Sequence, residues 1–251
     1  MMNLLYKIRF LWYAYFTKRF STDHALAPAT RDVLLDETFE NNKFTYDWHL
    51  PSWDEQPWTD WTGQTVIYLP SQYKIENGVL IMTTDNCVPQ KPGYPDKMSW
   101  EITSTTFLNR IYGFAEICMI PSQVGWSCPW WYQSDNRPKD VYGYEIDFGE
   151  FECDTPDAFT ITVWHYDKET GKKGTILKSA RFQAANDLTK NYHTFGCDWQ
   201  ATYVDFYFDG LKIYRYTGEI PNSSCYFING MAYKTGTLPV SSYTKQVRVQ
   251  V

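Results

Sequence analysis

The residues best placed to do chemistry in this sequence are the carboxylates of the stretch YEIDFGEFEC, residues 144–153: Glu145, Asp147, Glu150 and Glu152. Because side chains alternate faces along a β-strand, Glu145 and Asp147 share one face, but Glu150 falls on the other. One extra residue in the strand, a β-bulge at Gly149, would correct this parity, and glycine suits a bulge. The spacing therefore predicts a bulged strand with all four acids on one side.

Two carboxylates on one face of a sheet can hydrolyse a glycosidic bond. A retaining glycosidase places its two carboxyl groups about 5 to 5.5 Å apart, one as nucleophile and one as general acid. Glu145 and Glu150 would stand about 13 Å apart along the bulged strand, so their side chains must lean together. Asp147 between them predicts a coupled titration in which at least one carboxyl has a raised pKa. An acidic solvent-facing strand and a calcium site are the alternatives that these residues leave open.

Aromatic residues precede the acidic strand, in VGWSCPWWYQS at 124–134. On an extended chain Trp126, Trp130 and Tyr132 share one face, and Trp131 takes the other. Flat aromatic rings stack on the C–H groups of sugars while nearby carboxylates bond the hydroxyls. The same-face set therefore favours carbohydrate binding, although each tryptophan taken singly also suits a core.

The composition is that of a folded, weakly acidic protein. Of 251 residues, 43% are hydrophobic and 18% aromatic, and the formal net charge is −6. No cluster of lysine and arginine beyond pairs occurs in the sequence, which argues against a nucleic-acid partner and favours a neutral ligand. The six cysteines show neither C-x-x-C nor a zinc-type Cys/His spacing, and leave free thiols and disulfides both open.

Short β-branched and aromatic segments separated by turn signals run from about residue 33 to the end of the chain. Asp209-Gly210 supplies the two positive-φ positions of a tight hairpin. The alternation of valine with polar residues in the last segment predicts a half-buried strand. No window of a dozen residues keeps a 3.6-residue period, so we predict an all-β sandwich or jelly roll. The predicted strands include 78–84, 112–120, 158–166, 203–216 and 245–251.

We predict a single domain at 33–251, preceded by an N-terminal extension and linker at 1–32. The apolar run from Phe10 to Phe16 is far shorter than a membrane span and lies at the lower limit of a signal-peptide core, so secretion stays open. The tryptophan-rich segment 47–63 predicts a long loop, which either overhangs a binding face or packs locally.

The stretch Glu145–Glu150, Glu-Ile-Asp-Phe-Gly-Glu, resembles the Glu-Ile-Asp-x-x-Glu signature of glycoside hydrolase family 16 in its bulged form. That form is typical of laminarinases, agarases and carrageenases, as distinct from the shorter signature of lichenases and xyloglucan enzymes. Further segments resemble the family's successive strands in the same order, over residues 33–251. The resemblance implies a β-jelly roll of two stacked antiparallel sheets with an open concave cleft, and a retaining endo-β-glycanase that cleaves within a polysaccharide.

The resemblance also implies catalytic roles. Glu145 would be the nucleophile, Asp147 would orient it and modulate its charge, and Glu150 would be the general acid/base. Glu152 has no role that the resemblance transfers.

The implied substrate-binding residues are less regular. Trp126 and Trp130 resemble the family's W-x-x-x-W, whose rings line the glycone subsites. Cys128-Pro129 interrupts that motif, and an alignment shifted by two positions makes Trp131 a candidate as well. His165, near the acid/base in the family pattern, and Trp199 complete the candidates.

The negative net charge leads us to expect a neutral glucan, β-1,3- or mixed-linkage, as substrate. A galactan hydrolase is the alternative, for which Arg137 and Lys139 are the nearby basic residues that a sulfated substrate would need. A lectin-like binding module and a transglycosylase are two others. The resemblance implies no required cofactor and no catalytic metal, and it allows a structural calcium away from the cleft. It further implies an extracellular monomer that acts on a polysaccharide, without nucleic acid or a membrane span.

Overall fold

Two antiparallel β-sheets form the body of the protein. The computed structural model describes residues 24–27, 29–50, 58–59, 65–67, 72–86, 100–123, 125–134, 142–167, 173–184, 186–233 and 237–251. In that part of the chain the structure has one short 3-10 helix, Glu40–Asn42, and sixteen strands. The strands are β1 Val33–Glu37, β2 Trp58–Thr59, β3 Thr65–Val66, β4 Tyr73–Glu76, β5 Val79–Thr84, β6 Trp100–Thr103, β7 Gly113–Ile120, β8 Trp126–Gln133, β9 Gly143–Glu152, β10 Ala158–Tyr166, β11 Lys173–Gln183, β12 His193–Gln200, β13 Tyr203–Phe208, β14 Leu211–Tyr216, β15 Cys225–Ala232 and β16 Val240–Gln250.

The acidic strand lies inside the smaller sheet. Six strands form this sheet in the order β11-β10-β9-β8-β15-β6, so β9 has a neighbour on each side. Eight strands form the larger sheet, in the order β14-β13-β12-β7-β16-β5-β4 with β1 also paired to β16. β2 and β3 make a separate two-stranded ribbon. The predicted all-β class with two antiparallel sheets is confirmed.

Large apolar side chains from both sheets fill the space between them. Phe148 and Phe151 of β9 are completely buried, and so are Phe195 of β12 and Phe227 of β15. Removing a side chain of this size from water contributes about 1.5 to 3 kcal/mol. This burial fixes which side of β9 faces the core, and therefore which side is left for the acids.

Four of the five predicted segments occur within one residue of their predicted bounds, and the last, predicted at 245–251, belongs to a longer strand that begins at Val240. β10 covers Ala158–Tyr166 as predicted. The hairpin of β13 and β14 turns at Asp209 and Gly210, whose φ angles of 48° and 75° are the positive values that the turn type requires.

The last strand departs from its predicted half-burial. Val247 and Val249 of β16 face the core, but Arg248 and Gln250 on the opposite side are buried too. The chain segment before β1 covers that side: Arg248 donates to the carbonyl of Ala27 at 2.5 Å. Gln250 Oε1 accepts the backbone N–H groups of residues 30 and 31 at 3.1 Å each. The prediction was wrong because alternation reports only one face, and a remote segment covers the other.

Most of the tryptophan-rich segment 47–63, namely 51–57 and 60–63, lies outside the described residues. Trp48 packs against Phe107 and Phe227 in the core. Its indole N–H donates to Glu37 at 3.0 Å, so this tryptophan packs locally. Trp58–Thr59 pairs with Thr65–Val66 as a ribbon where a loop was predicted.

Several expectations rest on undescribed residues. Residues 1–23 and Cys87 lie outside the described part, as do Arg137 and Lys139. The domain boundary after residue 32 therefore stays a prediction. In the described part, five cysteines form no disulfide with one another. The same ranges contain no helix with the length and hydrophobicity needed to cross a membrane.

Candidate active site

The acidic strand β9 contains the predicted bulge. Between its pairs with β10, Thr160 to Glu150 and Thr162 to Asp147, β9 advances three residues while β10 advances two. Against β8, β9 advances four residues from Phe151 to Asp147 while β8 advances three. The extra residue therefore occurs against both neighbours, at Phe148-Gly149. We call the side of the six-stranded sheet that carries Glu145, Asp147 and Glu150 the acid face.

Gly149 is required by the close approach of the second sheet. A Cβ added there would lie 2.7 Å from Cδ1 of Phe195. Phe148 and Gly149 both turn toward the core, since both are buried while Glu145 and Glu150 are partly exposed. Two consecutive core-facing residues are what returns Glu150 to the acid face.

Each acid is held by a side chain from a neighbouring strand. The hydroxyl of Tyr166 donates to Glu145 Oε2. The indole N–H of Trp164 donates to Asp147 Oδ2 at 3.1 Å. Burial and, next, the charge of Glu145 raise the pKa of Tyr166 above its ordinary value, so its phenol stays protonated and remains a donor.

Glu150 is held from both adjacent strands. Thr162 of β10 donates its hydroxyl proton to Oε2 at 2.5 Å, and Trp126 of β8 donates its indole N–H to Oε1 at 3.4 Å. Hydrogen bonds from two strands restrict the Glu150 carboxyl to one orientation. A group that transfers a proton to a fixed substrate atom must be oriented in this way.

An aromatic wall lies on the acid face beside the acids. Trp126 and Trp130 meet edge to face with ring centroids 5.5 Å apart, and each is 9% exposed. They form a small cluster with Cys128 and Ile228, separate from the main core. Tyr132 continues the wall and meets Tyr166 at 5.7 Å. The predicted same-face arrangement of Trp126, Trp130 and Tyr132 is what the structure has.

Trp131 and Trp199 are not on this wall. Both are completely buried between the sheets, where their rings lie 6.0 Å apart. Trp199 also donates its indole N–H to the carbonyl of Pro221 at 2.8 Å. Their prediction as substrate-binding residues was wrong, because the parity of β8 and β12 points both rings at the opposite sheet.

His165 also lies off the acid face. It is paired with Tyr144 across β10 and β9, and paired residues point to the same side, here the core side. The ring stacks on Tyr142 at 4.7 Å, and Nδ1 lies 3.6 Å from Glu219. The prediction of His165 as a substrate-binding residue was therefore wrong, since Trp164 and Tyr166 on either side of it point to the acids.

Three residues of β10 that hold the acids were not predicted from the sequence: Thr162, Trp164 and Tyr166. Their signal was available, since they alternate along a strand that follows the acidic one after a short connection. Adjacent antiparallel strands pair, so same-parity residues of β10 must face the acids.

Two further residues of the acid face were also missed. Burial raises the pKa of the half-buried Glu101 to about 8, so its carboxyl is neutral at pH 7 and can donate a hydrogen bond. It lies opposite Gly230, where a Cβ would come within 2.9 Å of the Trp130 ring. Burial and then the charges of Asp147 and Glu150 raise the pKa of Cys128, which keeps this thiol protonated.

The arrangement defines a class of protein: a β-sandwich with paired carboxylates and an aromatic wall on one sheet face, the equipment of a carbohydrate-active protein. Residues 59–246 match the sequence profile of "Glycosyl hydrolases family 16". The chain belongs to glycoside hydrolase family 16.

Known relatives agree with this assignment. A beta-glucanase of Acetivibrio thermocellus is 32% identical over 177 residues, which cover 67% of this chain and 47% of that protein. The chain thus spans about half the length of this curated relative and of a second beta-glucanase of the same species.

Solved structures share the fold. A non-specific endo-beta-1,3(4)-glucanase of family 16 aligns with a TM-score of 0.71 and 19% identity, over 90% of this chain and 93% of that one. The laminarinase catalytic domain from Thermotoga maritima aligns with a TM-score of 0.70 and 17% identity, over 88% and 98%. At these identities the likeness concerns the fold.

Proposed function

We propose that this protein is a retaining endo-β-glucanase that cleaves β-1,3- or mixed-linkage β-glucans. The observation that carries the proposal is the bulge of β9, which brings Glu145, Asp147 and Glu150 onto one face within reach of neutral donors from the adjacent strands. The names of the relatives, beta-glucanase among them, favour a glucan over a galactan.

The proposed reaction has two displacements. In the first, Glu145 attacks the anomeric carbon while Glu150 gives its proton to the glycosidic oxygen; the carbon–oxygen bond to the leaving sugar breaks as the bond to Glu145 forms. In the second, Glu150 takes a proton from water, the water oxygen attacks the same carbon, and Glu145 leaves. Two inversions retain the configuration.

The contacts of the acids suit these roles. A hydrogen bond to a carboxylate favours its charged form, so the Tyr166 hydroxyl keeps Glu145 available as a nucleophile. Trp164 holds Asp147, which is 1% exposed, at the middle of the set. Glu150 lies against Trp126 at the end of the aromatic wall, where a sugar stacked on that wall would present its glycosidic oxygen.

Replacing Glu145 with Gln tests the assignment. The amide keeps the shape and removes the nucleophile, so we expect hydrolysis of laminarin and barley β-glucan to fall by at least about 1,000-fold with oligosaccharide binding retained. Glu152→Gln is the matched control, since it removes a carboxylate from the same strand that no step of the proposed reaction uses. Release of reducing ends and calorimetric binding are measured together.

Three results would contradict the proposal. Undiminished hydrolysis by Glu145→Gln would remove the nucleophile assignment. A parent protein that binds glucan and releases no reducing ends would be a binding module. Cleavage of agarose or carrageenan in place of glucans would make it a galactan hydrolase.

The stereochemistry gives a second check. Proton NMR of the earliest products from a β-glucan should show the β-anomer first, with the α-anomer growing only by mutarotation. Early α-anomer would indicate inversion, and with it a wider separation of Glu145 and Glu150 than we propose.

A further inference from the structure

A cluster of two histidines and one aspartate lies on the larger sheet, away from the acid face. His193 begins β12, Asp209 occupies the turn between β13 and β14, and His24 belongs to the segment before β1. One ligand atom from each of the three lies within 4.8 Å of the others. No step of the proposed hydrolysis uses these residues.

The nitrogen atoms of both imidazoles converge on the same carboxylate oxygen. His193 Nδ1 lies 2.9 Å from Asp209 Oδ2, and His24 Nε2 lies 3.3 Å from it. Ligand atoms held about 2.0 to 2.1 Å from a tetrahedral zinc ion are about 3.3 Å from one another. The two nitrogen–oxygen distances are therefore close to the edges of a zinc tetrahedron, and the two nitrogens lie within 4.8 Å of each other.

The surrounding contacts hold each donor in place. The backbone N–H of Thr194 donates to Asp209 Oδ1 at 2.9 Å, which leaves Oδ2 directed at the histidines. The His193 ring stacks on Phe208 with centroids 5.2 Å apart. The backbone N–H of His24 donates to the carbonyl of Tyr192 at 2.9 Å, and this bond fixes the backbone that carries the His24 ring. Contacts of this kind, which orient the ligands, normally accompany protein metal sites.

The burial of His193 also calls for a strong partner. Its side chain is 5% exposed, and Nε2 has no hydrogen-bond partner among the residues that the structure describes. Buried polar atoms are normally satisfied, so this imidazole is held by fewer polar bonds than its burial predicts. The metal would bind the other ring nitrogen, Nδ1, which faces Asp209 Oδ2, the same oxygen that His24 Nε2 approaches.

We propose that His24, His193 and Asp209 bind a zinc ion, or a similar divalent transition metal, which clamps the segment before β1 onto the larger sheet. Two imidazoles and one carboxylate are the donors that zinc prefers, whereas calcium takes oxygen ligands. Water is the ligand expected at the remaining position. The site is structural, because the acid face belongs to the other sheet.

Zinc titration of the full chain, first freed of metal with a chelator, tests the proposal. Calorimetry should show one zinc ion per chain, and zinc at about 100 times its Kd should raise Tm by about 5 to 10 °C, reversibly with chelator. Calcium at the same concentration should leave Tm unchanged. A parent without saturable zinc binding, or with an equal response to calcium, would overturn the proposal.

The variant His24→Ala separates this site from adventitious zinc binding. His24 lies outside the strands, so its removal should spare the fold while weakening zinc binding by at least about 100-fold. His49→Ala is the matched control, because His49 is exposed and pairs with Thr103 of β6 at the edge of the other sheet. Zinc should also slow amide hydrogen exchange of residues 25–27 in the parent and not in His24→Ala. Equal zinc binding by both histidine variants, or unchanged exchange at 25–27, would contradict the clamp.

Discussion

The carboxylates of the two sheets are held by different kinds of donor. On the acid face, the described donors to Glu145, Asp147 and Glu150 are neutral hydroxyl and indole groups. On the outer face of the larger sheet, Asp198 and Asp205 each accept two hydrogen bonds of 2.6 to 2.7 Å from a guanidinium group. Arg31 donates to Asp198 and Arg215 donates to Asp205. Both groups of acids are on central β-strands, so the strands alone do not distinguish them.

The difference concerns freedom to exchange a proton. Burial raises the pKa of Asp198, but hydrogen bonds from Arg31 and Gln200 lower it by more. The pKa therefore lies below its ordinary value, and the carboxylate stays ionised. A neutral donor fixes the position of a carboxylate and leaves its charge responsive to the reaction. Acids held in this way can serve as nucleophile or acid/base, whereas acids held by arginine serve to attach one part of the chain to another.

The largest expected effect separates the two groups directly. Glu150→Gln should lower kcat/KM on laminarin by about 100- to 10,000-fold, the usual contribution of a general acid, with little change in the free energy of unfolding. Asp205→Asn should leave turnover per folded molecule unchanged. It should lower the free energy of unfolding by about 1 to 3 kcal/mol, because Arg215 and Lys212 lose their counter-charge. The loss is moderate because both cations remain partly exposed to water. Loss of turnover without loss of stability in Asp205→Asn would erase the distinction.

A smaller effect is expected when one hydroxyl is removed from each face. Tyr166→Phe removes the donor to Glu145 and should lower kcat about 10- to 100-fold, since a hydrogen bond to a charged group contributes about 1.5 to 3 kcal/mol. The acidic limb of the kcat/KM profile should move to higher pH, because a carboxylate that loses a donor is protonated more easily.

Tyr203→Phe is the control for that variant, since it removes the hydroxyl that donates to Asp198 at 3.2 Å on the outer face. We expect neither kcat nor the pH profile to change. A shifted profile in Tyr203→Phe, or an unshifted one in Tyr166→Phe, would show that the contrast between the faces is not one of proton exchange.

The smallest effect concerns two glycines, Gly149 in the bulge of β9 and Gly210 in the turn between β13 and β14. Gly149→Ala places a Cβ 2.7 Å from Phe195 and should cost about 1 to 3 kcal/mol of unfolding free energy through overpacking. Gly210→Ala meets nothing within 4 Å and should cost about 1 kcal/mol, through its φ of 75° alone. Denaturant unfolding measures both. The smaller Phe195→Leu should rescue Gly149→Ala and not Gly210→Ala, and the absence of rescue would place the constraint on the bulge elsewhere.

Local sequence patterns were enough to predict the bulge of the acidic strand and the face on which its acids lie. The parity of residues 144–153 required a bulge at Gly149, and the structure has one against both neighbouring strands. Parity also placed Trp126 and Trp130 on one face and Trp131 on the other, as observed. The shifted alignment, which brought Trp131 toward the substrate, disagreed with that parity and was wrong.

The sequence by itself determined the all-β class and the face of the acids, because these depend on period-two alternation and one glycine within a single strand. The family followed from the resemblance of residues 145–150 to its signature, and the family profile matches residues 59–246. Only the tertiary structure decided which aromatic residues belong to the aromatic wall and which to the core, since a tryptophan side chain packs equally well against a neighbouring sheet and against a sugar. It also decided the partners: Tyr166 reaches Glu145 through strand register, and His24 reaches His193 through a segment laid across the larger sheet. Contacts between residues distant in sequence leave no local pattern, because the geometry that creates them is that of the packed sheets.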